Sequence, residues 1–293
     1  TNHSAGLYGI LSKSFNNSLR ATFSSRIDYD DNFGVEYLPH LSLAWNPGNF
    51  TVRGSAGKAV RGGDFTERYV SYAIPQLSPG RNLGNPNLNA EKAWSFEVGT
   101  DYNTSKGIAG VTLFHRASTD LIDYTYTLSD NITTATNLIA GEYYYYARNV
   151  ASAATSGVEV QTSQQIISQE NHALNVNLSY TLMHTVTGDE EPSKYIANHP
   201  KHIINAGVAG HIGIIKANIT GTFINRDKEA AEAVNGEIKA SYFVLNAQIE
   251  VIPINDKIGF YVQAYNISNT EYQEVLGARM PGRWISGGVK WKL

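Results

Sequence analysis

HALNVNLSYTLMH, residues 172–184, reads with a period of two. After His172, the even positions Leu174, Val176, Leu178, Tyr180 and Leu182 are apolar. The odd positions Ala173, Asn175, Asn177, Ser179 and Thr181 are small or polar. Such alternation marks an extended strand with one apolar face. A helix would space its apolar residues three and four apart. What decides the fold is the medium that meets that face, a protein core or lipid.

The same pattern recurs along the chain. In IKANITGTF, residues 215–223, Ile215, Ala217, Ile219, Gly221 and Phe223 oppose Lys216, Asn218, Thr220 and Thr222. SLRATFSSRIDY (18–29), FVLNAQIEV (243–251) and IGFYVQAY (258–265) behave likewise. GRWISGGVKWKL, residues 282–293, sets Ile285, Gly287, Val289, Trp291 and Leu293 against Trp284, Ser286, Gly288, Lys290 and Lys292. About thirteen strands can be counted, many of ten or more residues, against ~5–6 for an ordinary soluble strand and ~9–11 for a tilted strand crossing a bilayer.

Connections take turns in length. Short ones fall at 16–17, 46–49, 104–107, 168–171 and 253–256, and long ones at 30–36, 60–90, 128–142, 187–200, 227–237 and 269–281. Short turns at one end and long loops at the other are the asymmetry of an outer-membrane barrel. The polar face is rich in Asn, Ser, Thr, Gln and Gly, as a lumen wall would be, where a soluble sandwich would carry Lys and Glu. Trp45, Trp94, Tyr102, Tyr180 and Trp291 near strand ends suit interface girdles.

Composition excludes other classes. Charged residues make up 17% of the 293, and the net charge is -3, so no basic field draws nucleic acid. There is no cysteine for disulfides or thiol chemistry. No apolar run approaches the ~20 residues of a membrane helix. The histidines form no zinc-site spacing, and no nucleophile elbow or catalytic set can be assembled, so an enzyme is not expected. The acidic runs at 28–31 and 188–191 lack the spaced ligands of a calcium loop and read as solvated; no metal and no cofactor is expected.

Three stretches carry a resemblance. GNPNLNAEKAWSFEVGTDYN (84–103), with Asn85, Pro86, Leu88 and Glu91, resembles the segment that enters a strand in TonB-dependent outer-membrane receptors. YYYYARNVASAATSGVEVQ (143–161), with Asn149, Gly157 and Glu159, is similar to a hairpin strand of that family. AYNISNTEYQEVLGARMPGRWISGGVKWKL (264–293), with Asn266, Pro281, Gly282 and Arg283, resembles its closing pair. The chain departs from the family in ending on Leu293 rather than Phe or Trp.

The resemblance implies an all-β, antiparallel transmembrane β-barrel. Residues 1–293 would be its C-terminal portion, about thirteen strands of about 22, with the plug domain absent. It implies an active transporter in the bacterial outer membrane, importing a scarce nutrient such as a ferric siderophore, cobalamin or haem with energy relayed by TonB. The closing YQEVLGARMPGRW most resembles receptors for cobalamin or ferric chelates. Partners would be TonB, the bilayer and lipopolysaccharide, and the metal-chelate or cobalamin-type ligand. A passive porin-like channel and a surface adhesin or structural barrel are the alternatives.

On this reading the ligand meets the long loops. The candidate contacts are Arg61, Arg68, Tyr69, Tyr72 and Arg81 in the largest loop, Tyr144 and Arg148 beside the tyrosine run, and Arg279 before the closing strand. Arginine forks onto anionic oxygens and tyrosine stacks on flat rings. The Asn-Pro and Pro-Gly motifs read as turn chemistry that launches strands.

Overall fold

A computed structural model describes residues 2–188, 199–226, 239–254, 257–275 and 277–291. The alternating stretches pair as antiparallel hairpins: β1 (Ser4–Ser14), β2 (Leu19–Asp30), β3 (Gly34–Trp45), β4 (Phe50–Arg61), β6 (Glu91–Thr104), β7 (Gly107–Leu128), β8 (Tyr143–Gln169), β9 (His172–Thr187), β10 (Pro200–Ile212), β11 (Ile215–Arg226), β12 (Ser241–Ile254), β13 (Ile258–Tyr265) and β16 (Trp284–Trp291). They lie side by side in chain order in one 14-stranded sheet, whose remaining member, β5 (Asn82–Leu83), pairs parallel with β8. A separate small hairpin, β14 (Gln273–Val275) with β15 (Ala278–Arg279), sits in the last loop.

The register builds two unlike faces. One cross-strand row runs Val111, Val160, Tyr180, Ile204, Phe223, Phe243 over six strands. The adjacent row runs Gly110, Gln161, Ser179, Asn205, Thr222, and Asn205 hydrogen-bonds both Ser179 (3.3 Å) and Thr222 (2.9 Å). Leu113 is 55% exposed and Leu178 47%. Apolar side chains this open on a continuous face are a lipid contact, not a folded core.

The short connections fall at one end, as the sequence pattern requires. Asn16 Oδ1 accepts from the backbone N–H groups of Ser18 (2.9 Å) and Leu19 (2.7 Å), and Gly48 and Gly213 take positive φ in tight turns that other residues adopt at a cost. At the opposite end β7 and β8, 22 and 27 residues long, outrun their neighbours. Pairing of β6 with β7 stops at Lys92–Thr119, while β7 and β8 stay paired to Leu128–Tyr143. The surplus, longer than a bilayer needs, stands beyond the neighbouring strands as a two-stranded arm, on which β5 pairs.

The expected barrel is corrected here: the sheet is open. Among the described residues β1 bonds only to β2 and β16 only to β13, and all eleven residues of β1 are exposed. These two edges are not partners of each other, so no ring forms. Both edge strands run from the long-loop end to the short-turn end. No described helix is long and apolar enough to cross a membrane. The terminal Leu293 and residues 189–191 of the second acidic run lie outside the described residues.

The most deeply buried side chains are at the long-loop end, in the β7–β8 arm, in β5 and in the loops against them. Leu77, Leu83, Ile132, Tyr144 and Tyr146 form a cluster, with Tyr72, Ala135 and Leu138 against it. Leu88, Ile122 and Ala147 form a second, with Tyr124. The β7–β8 arm, residues 70–90 and residues 129–142 therefore make a folded cap with an apolar interior.

Candidate functional site

The cap begins at Arg61, the last residue of β4. Its Nε and Nη2 donate to Glu91 Oε2 and Oε1 at 2.6 and 2.7 Å, and its Nη1 and Nη2 also reach Glu67 at 2.9 and 3.0 Å. Glu91 Oε1 accepts in addition from the Ile122 N–H at 2.8 Å. One nearly buried carboxylate thus ties β4, β6 and the base of the arm together.

Glu67 belongs to a short helix, α1 (Phe65–Tyr69), inside the largest loop. Asp64 accepts from Glu67 N–H at 2.7 Å and Glu67 accepts from Asp64 N–H at 2.8 Å, a reciprocal cap. The signal for this helix, Asp-x-x-Glu at 64–67, stands in the sequence, where the whole stretch reads as loop. Arg68 donates to the backbone carbonyls of Leu88 (3.2 Å) and Pro86, pinning the Asn-Pro segment under the helix. Gly84 is required there, because a Cβ would lie 2.5 Å from the Arg68–Tyr69 backbone.

The tyrosine run divides as alternation requires. Tyr144, 0% exposed, donates to Leu77 O (3.0 Å) and accepts from Ile139 N–H (2.9 Å). Tyr72 donates to Thr134 Oγ1 (2.8 Å), which bonds the Tyr146 hydroxyl (2.9 Å). Burial raises the Tyr72 hydroxyl pKa above its ordinary value. On the other side of the arm, Tyr143 stacks on Tyr126 at 5.0 Å and Tyr145 tilts against it at 5.1 Å. Tyr126 is a ring the sequence reading missed; only the pairing of β7 with β8 brings it opposite Tyr145.

The structure brings Arg61, Arg68, Tyr69, Tyr72, Arg81 and Tyr144 into or onto the cap. Arg61, Arg68, Tyr72 and Tyr144 are engaged by internal partners. Tyr69, Arg81 and Arg148 are exposed, Tyr69 with its ring 5.1 Å from that of Phe65. Arg81 offers its carbonyl to the Tyr145 N–H (3.1 Å). Arg279, also exposed, is in β15 on the last loop.

The motif residues are joints. Asn85 Oδ1 accepts from Asn87 N–H at 3.0 Å. Asn149 exchanges two bonds with the Asn89 backbone (2.9 and 3.0 Å) and donates to Asp120 O (2.6 Å). Leu88 is in the second cluster, and the Phe114 ring lies over Gly157 where a Cβ would go. Glu159 is exposed on β8, level with Thr112 and Thr181. Asn266 ties the last loop, donating to Thr270 O (2.9 Å) and Pro281 O (3.2 Å). Asn269 Oδ1 accepts from the Arg283 N–H (2.8 Å) and lies against Gly282. In the first acidic run, Asp28 pairs with Arg26 at 2.5 Å and Asp31 with His3 at 3.0 Å.

Comparison with known proteins gives a consistent set. A profile described as TonB dependent receptor-like, beta-barrel matches residues 1–267. An iron-regulated outer membrane virulence protein of Vibrio cholerae serotype O1 is 31% identical over 198 residues, 65% of this chain and 29% of that protein. The siderophore receptor PirA from Pseudomonas aeruginosa superposes with TM-score 0.69 at 16% identity, over 100% of this chain and 49% of that one. The ferric enterobactin receptor PfeA from Pseudomonas aeruginosa, solved with enterobactin, gives 0.70 at 15%, over 99% and 45%. The chain thus spans about half the length of the solved structures and less than a third of the curated relative.

Proposed function

Since this chain belongs to the TonB-dependent receptor-like β-barrel family, we propose that it serves in the energised uptake of a ferric siderophore across the bacterial outer membrane, in which it lies. Transport, not catalysis, is its role. The observation that carries the reading is the cap: long loops folded around their own apolar core at one end of a lipid-facing sheet. A passive pore needs no such structure, whereas capture of a rare ligand needs contacts fixed before it arrives.

Iron is favoured over cobalamin by the relatives, one iron-regulated and one a ferric enterobactin receptor. The exposed Tyr69, Arg81 and Arg279 are the contacts offered to an anionic chelate. Arg61, Arg68, Tyr72 and Tyr144 hold the cap in shape and act through it. TonB supplies the energy, and lipopolysaccharide meets the outer rim.

The test is growth of the host on limiting iron. A deletion strain should lose uptake of one ferric chelate, regain it with the intact gene, and lose it again when TonB is removed. TonB-independent uptake with steady open-channel conductance would establish a passive channel instead.

A further inference from the structure

The lipid-facing side of the sheet is not flat across β3, β4 and β6. On β4, Gly54 is paired between Leu43 and Val98, and Ala56 between Leu41 and Phe96, and these four large neighbours are all exposed. A groove of about 480 Å³ runs between them, with Leu113 of β7 extending its wall beyond Val98. The strand does not require the glycine. Pairing runs through it without a bulge on either side, its φ is not positive, and a Cβ would meet only the Glu97 carbonyl oxygen, at an ordinary 3.6 Å. A strand glycine with none of these uses marks a place where a ligand comes close.

The groove changes character along β4, which runs from the short turns toward the cap. At Gly54 it is walled by hydrocarbon. One step outward His115 joins the wall opposite Phe96, its Nδ1 2.8 Å from Ser156 Oγ. The next pairs in register are Lys58 with Trp94 and Val60 with Lys92. The two ammonium groups share one carboxylate, Glu36, at 2.8 and 2.6 Å, and Lys92 is the more exposed of the two. Each ammonium carries three N–H donors, so the bond to Glu36 leaves both with donors to offer an anion.

We propose that this groove holds one acyl chain of a phosphate-bearing outer-leaflet lipid, with the phosphate against Lys58 and Lys92 and the chain lying over Ala56 and Gly54. The gradient of polarity sets that orientation: cations stand at the long-loop end and hydrocarbon toward the middle of the bilayer. The width suits a chain and not a helix. The walls rise from β3 and β6, two strand spacings or about 10 Å apart between backbones, whereas a helix with its side chains is itself ~10–12 Å across. The site rests on the assignment of faces, not on the import reading, and makes one lipid a specific ligand of a surface that otherwise only meets solvent hydrocarbon.

The experiment uses the intact receptor in detergent and native mass spectrometry, with three probes: dioleoyl phosphatidate, dioleoylglycerol, which has the chains without the phosphate, and inorganic phosphate. Wild type should retain phosphatidate saturably, at one site. Gly54→Leu fills the groove and should weaken that binding at least about tenfold. Ala56→Leu fills it one step outward and carries the test if Gly54→Leu does not fold. Lys92→Gln should bring phosphatidate down toward the level of dioleoylglycerol. Ala206→Leu, a like change on the same face of β10 between Leu178 and Gly221, should leave binding as it was. Phosphatidate binding unchanged in both groove variants overturns the proposal. Inorganic phosphate held equally by wild type and the groove variants reduces the site to an ion site and also overturns it. A receptor dimer that Gly54→Leu dissolves gives the groove to a second copy, with the same consequence. Import is decided separately, by the TonB-dependent growth test.

Discussion

Arg61 and Glu91 form a two-pronged ion pair, Nε to Oε2 at 2.6 Å and Nη2 to Oε1 at 2.7 Å, between the last residue of β4 and the first of β6. Glu91 is nearly buried and Arg61 half exposed, so the pair is worth more than a surface bridge. Arg61→Ala leaves that carboxylate short of partners and should cost about 1–3 kcal/mol. Glu91→Gln should cost a similar amount and speed hydrogen exchange at the Ile122 amide, which Glu91 accepts from. Unfolding titrations of both variants and the double variant measure the coupling; fully additive costs would show that the two act independently.

Tyr144 separates packing from hydrogen bonding in the cap. Tyr144→Phe keeps the ring in its cluster and loses the bonds to Leu77 O and Ile139 N–H, so about 1–3 kcal/mol is expected. Tyr144→Ala also empties the site, for about 3–5 kcal/mol. Limited proteolysis within 129–142 should rise in that order while the sheet unfolds as before. Cleavage indifferent to both changes would mean that the cap does not depend on this residue.

The two faces of β9 should respond differently to charge. Leu178→Arg puts a cation on the lipid side and should cost roughly 2–4 kcal/mol near the midplane. Asn177→Arg, on the polar side, should cost much less. Equal effects in refolding into lipid would reverse the assignment of faces.

His199, just before β10, bonds Thr185 Oγ1 at 2.9 Å. Burial, with the charge of Arg116 adding to it, holds its pKa below the ordinary 6.5. Well above pH 6.5 the ring is neutral in both folded and unfolded chains, and the contribution is fully present. As the pH falls below that, the unfolded chain takes the proton first, and stability declines until the folded ring also titrates. Unfolding midpoints from pH 7.5 down to about 4.5 should fall less in His199→Gln than in wild type, and an NMR titration should place the His199 midpoint below that of an exposed histidine. Parallel midpoint curves would refute the effect.

Much of the sheet was legible because alternation is local. Asn177 and Leu178 declare opposite faces by position alone, and the lengths of the connections declare the two ends. The open edge was not legible, since whether β1 meets another strand depends on nothing within Ser4–Ser14. The cap was hidden for a related reason. Arg61 and Glu91 are 30 positions apart, and no pattern in either neighbourhood announces the other. Tyr144 and Leu77 are 67 apart, and long loops carry no period from which such a contact follows. The helix was different: Asp64 and Glu67 were in plain view as a reciprocal cap. The Asn-Pro motif at 85–86 and the Pro-Gly motif at 281–282 were legible as turn chemistry, whereas the bonds of Asn149 and Asn266 were not, since each joins segments that no local pattern links.

The direction of the two edge strands limits what can complete this sheet. Neighbours in an antiparallel ring alternate up and down, so such a ring holds an even number of strands. The unbroken run from β1 to β16 contains thirteen, and it starts and finishes with descending strands. Joining β16 directly to β1 would make a parallel seam, with the slanted and slightly weaker bonds of that geometry. An identical copy in the same membrane orientation also offers only descending edges, so self-association cannot supply an antiparallel seam on either side. An antiparallel ring closed through these two edges would need ascending strands at both junctions, odd in number.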